Sequence, residues 1–338
     1  MTSAAALWSR LAAAGLALGE RPPEPEDAAP WYVRLMLGIA GCIAAGFLIG
    51  FVGMGLRAVW ESKAGSIGGG LAMIAAAYVL FRAARSDFSS MFGFAVSVAG
   101  QGLLAVGLFR IMESEHSSAA WAAMALIEIV LVIAMPNFIH RLASAFAAPV
   151  FLGESLEIYG ASSVAAGLAA AGVAVLWLNE LRAARHHAAL APAAYGLTAA
   201  LVYVEAELTR HSFPGEALVC GAFLAVVVTL IRRAGWPLRE RRVLLTIAAA
   251  AAFGAASFKA PGVAAGLMII LLGFANGNRV LTGAGIAALL FYVSKYYYLL
   301  EVSLLTKSAV LAAIGAVLLA ARWLLLNMVM PEEEAKGA

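Results

Sequence analysis

Leu35 to Leu56, LMLGIAGCIAAGFLIGFVGMGL, contains no charged residue, and its length decides the class of fold. An α-helix needs ~20 apolar residues to cross the hydrocarbon core of a bilayer. Ala309 to Leu326 is nearly as apolar, interrupted only by Arg322. The rest of the chain has the same character, with 63% of its 338 residues hydrophobic and 13% charged. Lipid forces every backbone polar group to be bonded within the chain, so helices or a closed barrel are the spanning options. Helices are expected, because the runs are continuously apolar, whereas barrel strands alternate polar and apolar positions.

Working outward from Trp31, apolar runs predict crossings at 31–56, 66–81, 88–109, 117–135, 139–156, 159–178, 191–207, 215–232, 243–258, 261–275, 279–297 and 303–327. The expected fold is therefore an all-α polytopic bundle of about 12 membrane-spanning helices. The fifth run is the weakest, since it holds Arg141, Pro149 and Glu154, and a re-entrant segment is its alternative. Short cytoplasmic loops collect Lys and Arg. Twelve crossings with cytoplasmic N- and C-termini put the densest basic loop, Arg232 to Arg242, on the cytoplasmic side. Without the fifth crossing that loop faces outward.

Three regions follow. Residues 1–30 are expected to form a cytoplasmic amphipathic helix and a Pro-rich linker, 31–327 the bundle, and 328–338 a cytoplasmic charged tail. Leu7, Trp8, Leu11 and Leu16 share one side of the first helix, and RPPEPEDAAP, Arg21 to Pro30, cannot continue it. No cleavable signal peptide is expected, because the start lacks a basic region and Arg10 interrupts the apolar stretch.

Glu128, in WAAMALIEIVLVIAM, is the acid set deepest in an apolar run. A charge at the bilayer centre costs on the order of 2.5–3.5 kcal/mol on insertion scales, so it must face the bundle and find a partner. It is read either as a proton-carrying or cation-binding carboxyl or as a neutral interhelical hydrogen-bonding group. Gln101, between Gly100 and Gly102, is its candidate partner. A second group, Tyr203, Glu205, Lys295, Tyr296, Glu301 and Lys307, is expected at the outer interface. Tyrosines and lysines there ordinarily form an aromatic belt and snorkel to headgroups; an outward-open polar pocket is the sharper alternative.

Other features read as structure. Cys42 and Cys220 have no ligand-type spacing and are expected to pack as small apolar residues. His140 with Arg141 reads as a helix boundary, and His116, His186, His187 and His211 as loop or interface residues. Gly46/Gly50, Gly262/Gly266 and Gly273/Gly277 are GxxxG pairs that let helices approach closely. Packing within the chain is their first reading and a homodimer face the second. The net charge of +3 gives no argument for nucleic acid. No phosphate-binding loop, HExxH or GxSxG motif occurs, so no cofactor, metal or catalytic residue is expected, and a non-enzymatic role is favoured.

LLGFANGNRVLTGAGIAALLFYVSKYYYLLEVSLLTKS, Leu271 to Ser308, resembles a bacterial membrane family catalogued as domain of unknown function 4401. The Gly277-Asn278-Arg279 opening, the tyrosines after Ser294 and Leu304, Leu305, Lys307 and Ser308 carry the likeness, with LWSRLAAAGL and PWYVRLMLG near the N-terminus. The resemblance implies a multi-pass protein of a bacterial inner (plasma) membrane, but no activity. It also implies a neighbour, since proteins of this type are encoded beside a membrane-anchored family named for a GDYxxLxY motif. The expected function is a non-catalytic component that assembles with a partner membrane protein, because deep ionisable residues are so few; the alternative is a transporter or channel subunit for a small solute or proton.

Overall fold

The structure is a computed structural model. It describes residues 4–15, 31–55, 61–84, 86–113, 117–180, 187–207, 212–237, 239–258 and 261–299, with 305 and 319. The expected span at 303–327, the linker, the C-terminal tail, Glu301, Lys307, His116, His186 and His211 lie outside the described residues. The helices are α1 (Ala4–Ala13), α2 (Trp31–Gly55), α3 (Lys63–Ala83), α4 (Asp87–Ile111), α5 (Ser118–Ala134) and α6 (Phe138–Glu157). They continue with α7 (Ser163–Leu178), α8 (His187–Glu207), α9 (Phe213–Arg233), α10 (Arg241–Ser257), α11 (Val263–Ala275) and α12 (Arg279–Leu299).

The expectation of about 12 crossings is overturned. Five described helices are long and apolar enough to cross a membrane: Lys63–Ala83, Asp87–Ile111, Ala189–Glu207, Phe213–Arg233 and Arg279–Tyr298. Apolar runs overestimate helices because local chemistry stops the helix before the run ends. Met135 is extended before Pro136, the conformation that a following proline favours. Gly160, Gly262 and Gly277 have positive φ, the left-handed conformation that ends or offsets a helix. What remains of α5, α7 and α11 is 17, 16 and 13 residues. At 1.5 Å per residue these span about 25, 24 and 20 Å, short of the ~30 Å core. The assignment of both termini to the cytoplasm rested on an even count and lapses with it.

The chain divides into two compact units, residues 1–57 with 73–99, and 58–72 with 100–338. The first has a small core of Ala45, Ala77 and Val96, with Met73, Phe81 and Phe92 packed on it. Gly41 lets α2 approach α4 there: a Cβ would stand 2.6 Å from the Phe88 carbonyl oxygen.

The second unit holds the main core, including Val173, Trp177, Leu201, Phe223, Met268, Ile269 and Leu272. Its helices pair in hairpins. Ser155 donates to the Ser118 carbonyl at 2.9 Å, and the Trp121 and Phe151 rings meet at 5.5 Å. Contacts that advance on α5 and retreat on α6 make this pair antiparallel. In α11 and α12, a Cβ at Gly266 would meet Leu289 and one at Gly273 would meet Thr282. These glycines serve packing inside the chain, as read from the sequence. Outside the core, Leu126, Val130 and Ile133 on α5, with Phe274 and Val280, are mostly exposed. Apolar faces of that kind suit lipid as the solvent.

Candidate functional site

The α5–α6 connection builds the first polar centre. Asn137 caps α6 by accepting the His140 backbone N–H at 2.9 Å, which satisfies one of the free donors of the first turn. Arg141 Nε donates to the Met135 carbonyl at 2.6 Å and pins the break between the helices. His140 and Ser144, four residues apart, consequently share one face of α6. That face is turned inward: His140 is 1% and Ser144 2% exposed.

Glu128 on α5 lies across from them, also 1% exposed. Neither of its carboxylate oxygens makes a hydrogen bond. The Ser144 hydroxyl acts on the carboxylate without reaching hydrogen-bond distance and angle. Gln101 on α4 is not the direct partner of Glu128 expected from the sequence. Its Nε2 meets His140 Nε2 at 3.2 Å, and Ser144 Oγ meets His140 Nδ1 at 3.3 Å. An amide nitrogen can only donate, so His140 Nε2 accepts and Nδ1 carries the hydrogen. Nδ1 then donates to Ser144 Oγ, which leaves the Ser144 hydrogen to turn towards Glu128. Gln101, His140 and Ser144 therefore form an oriented hydrogen-bonded chain that ends beside Glu128 without bonding it.

A second centre joins the end of α8 to the start of α9. Glu205 and Glu216 are 3% and 2% exposed and lie within electrostatic reach of each other. Both Glu205 oxygens lack a hydrogen bond; the Gly262 backbone acts on the carboxylate short of bonding geometry. Gly262 has φ +85°, and a Cβ there would stand 2.6 Å from the Tyr292 ring. Tyr292 donates to the Val202 carbonyl at 2.9 Å, and Lys295 donates to the Ala206 carbonyl. Lys295 thus places its charge at the C-terminal end of α8, where the helix dipole favours a cation.

Of the expected outer group, Glu301 and Lys307 lie outside the described residues, and Lys295 bonds the carbonyl of the residue after Glu205. Glu205 faces inward while Tyr203, two residues earlier, packs against Phe146 with ring centroids 5.5 Å apart. Tyr296 and Tyr298 are exposed, as belt tyrosines are. Sequence reasoning missed His140, Ser144 and Glu216. The i, i+4 spacing of His140 and Ser144 was the available signal for the first two. Glu216 lies in the first turn of α9, where an acid ordinarily serves the helix dipole. Among the described residues no group of three or more His, Cys, Asp or Glu could hold a metal ion. Cys42 and Cys220 are free thiols, and Cys220 donates to the Gly254 carbonyl at 3.1 Å.

The turn between α11 and α12 gives the Gly-Asn-Arg segment a structural reason. Gly277 takes φ +64°. Asn278 caps α12 by accepting the Leu281 N–H at 3.1 Å, and its amide donates to the Tyr195 hydroxyl at 2.7 Å. Asn276 donates to the Trp177 carbonyl at 2.9 Å. The two asparagines flanking Gly277 thus fasten the α11–α12 hairpin to α7 and α8. The sequence pattern described as Domain of unknown function (DUF4401) matches residues 30–328. The chain belongs to the DUF4401 family. No curated protein and no solved structure matches it. The DUF4401 region includes both polar centres and the asparagine turn. This DUF4401 chain is a multi-pass membrane protein, and its family description carries no activity.

Proposed function

We propose that the protein is a carrier that moves a proton or couples proton movement to a small solute, in a bacterial inner membrane, with Glu128 as the proton-carrying group. The observation that carries this reading is a carboxyl group 1% exposed with neither oxygen hydrogen-bonded. An unpaired ionised carboxylate in an apolar interior is very costly, so such a site has use for a bound positive charge. His140 and Ser144 supply a route once the Gln101 amide turns away and frees the His140 Nε2 lone pair. A proton taken up at His140 Nε2 releases the Nδ1 hydrogen to Ser144 Oγ, which passes its own hydrogen to Glu128. One proton enters, one is delivered, and no group is oxidised or reduced. The buried Glu205 and Glu216 add to the ionisable inventory that a passive scaffold does not need, and the proposal assigns no catalysis.

Acid-jump measurements on protein reconstituted into liposomes loaded with a pH-sensitive dye test this reading. Wild type should acidify the lumen faster than empty liposomes, and Glu128→Gln should remove the difference. Equal rates for wild type and Glu128→Gln would refute it.

A second reading, assembly with a partner such as the GDYxxLxY type or with another copy, draws on Gly46 and Gly50. Among the described residues nothing stands within 4 Å of a Cβ at either position. That GxxxG face, unlike those of α11, is unused inside the described chain. Native-membrane purification that recovers a stoichiometric partner would support assembly; recovery of the chain by itself would count against it.

A further inference from the structure

A separate polar space lies where α6 and α8 end. A cavity of about 260 Å³ is lined by Glu154 and Glu157 from α6, Tyr203 and Glu207 from α8, and Ser162 from the turn before α7. Among the described residues none of the three carboxylates has a cationic partner. Ser162 is 2% exposed, and its hydroxyl oxygen has no hydrogen-bond partner. A buried hydroxyl left unpaired costs about 1–3 kcal/mol, so it asks for a polar group inside the cavity. Two observations thus point the same way: a surplus of negative charge at the rim and an unsatisfied acceptor in the wall.

The size of the space and the spread of the acids select the class of ligand. The three carboxylates do not gather closely enough to hold one metal ion, and the space far exceeds a bare cation. An extended molecule with charges at separate points fits better. Val150 and Val204 also line the cavity and can cover methylene groups, and the Tyr203 ring offers a π face to an ammonium. We propose that this cavity binds a small linear diamine or polyamine. Its ammonium groups are shared among Glu154, Glu157 and Glu207, one N–H donates to Ser162 Oγ, and the carbon chain lies along the valines. The inference deepens the carrier reading, and rests on it only for transport, by naming the class of solute; binding at the cavity stands without transport.

The test is equilibrium dialysis of radiolabelled putrescine and spermidine against the full chain in nanodiscs of zwitterionic lipid. Saturable binding is expected, weakened at least tenfold by Glu157→Gln and severalfold by Ser162→Ala, and not displaced by equimolar Mg2+. If Glu157→Gln fails to fold, Glu207→Gln at the exposed rim makes the same test. No saturable binding, full displacement by equimolar Mg2+, or wild-type affinity in the Gln and Ala variants would each overturn the proposal. Binding retained in Glu128→Gln with no wild-type uptake of diamine into liposomes would remove the diamine as the carried solute and leave the site standing, whereas loss of the proton flux difference alone would sink the carrier reading.

Discussion

Asn278 and Tyr195 are 83 residues apart in sequence and joined by a 2.7 Å hydrogen bond, amide to phenol. The same asparagine caps α12 through its other side-chain atom, so one residue both starts a helix and fastens a hairpin to its neighbour. Asn278→Ala should cost about 1–3.5 kcal/mol, the sum expected of a lost cap and a lost neutral hydrogen bond. Asn278→Asp, which keeps the acceptor and loses the donor, should cost less. Reversible unfolding in mixed micelles measures both; equal losses would show that the cap on α12 contributes nothing, and a wild-type Asn278→Asp that the bond to Tyr195 contributes nothing.

Close helix approach makes a second prediction. A Cβ at Gly196 would lie 2.2 Å from the Leu142 carbonyl oxygen, whereas Gly102 has nothing within 4 Å. Gly196→Ala should destabilise by about 1–3 kcal/mol, the usual cost of overpacking. Gly102→Ala should be neutral or gain up to about 1 kcal/mol from helix propensity. The same unfolding measurement separates them, and matching effects would refute the parallel α6–α8 packing at this point.

Glu128 was legible because one acid in a long apolar run has a single physical explanation, a polar interior. His140 was not. A histidine followed by arginine, just after Pro136, has the composition of a helix boundary, and only the pairing of α5 with α6 turns that boundary inward. Glu205 and Lys295 were expected at an outer interface, but the burial of Glu205 and the bond of Lys295 to α8 depend on which neighbour packs on each face of α8. The span count failed for a related reason. Apolar composition reports what the solvent is, whereas Pro136, Gly160 and Gly277 decide where a helix stops.

Ser144 makes the third prediction. It bonds His140 and acts on Glu128, so Ser144→Ala should lower proton flux at least tenfold with a stability change of only about 0.5–1.5 kcal/mol. Ser144→Thr, which keeps the hydroxyl, should restore part of the flux. Flux measured on liposomes of equal protein content reads the difference; a fully active Ser144→Ala would remove the relay from the account.

Gly46 and Gly50 supply a fourth. Because their Cβ positions are open, replacement of both by Leu should change folded stability by no more than about 0.5 kcal/mol. If another helix docks there, the mass of the native complex by light scattering should fall. An unchanged mass would take this face out of any assembly.

The central claim, that Glu128 carries a proton across the structure, is tested most directly by proton flux through liposomes containing wild type or Glu128→Gln. The isosteric amide keeps the fold and cannot exchange a proton, so flux should fall to the level of empty liposomes while unfolding is unaltered. A folded Glu128→Gln protein that carries protons at the wild-type rate would contradict the account.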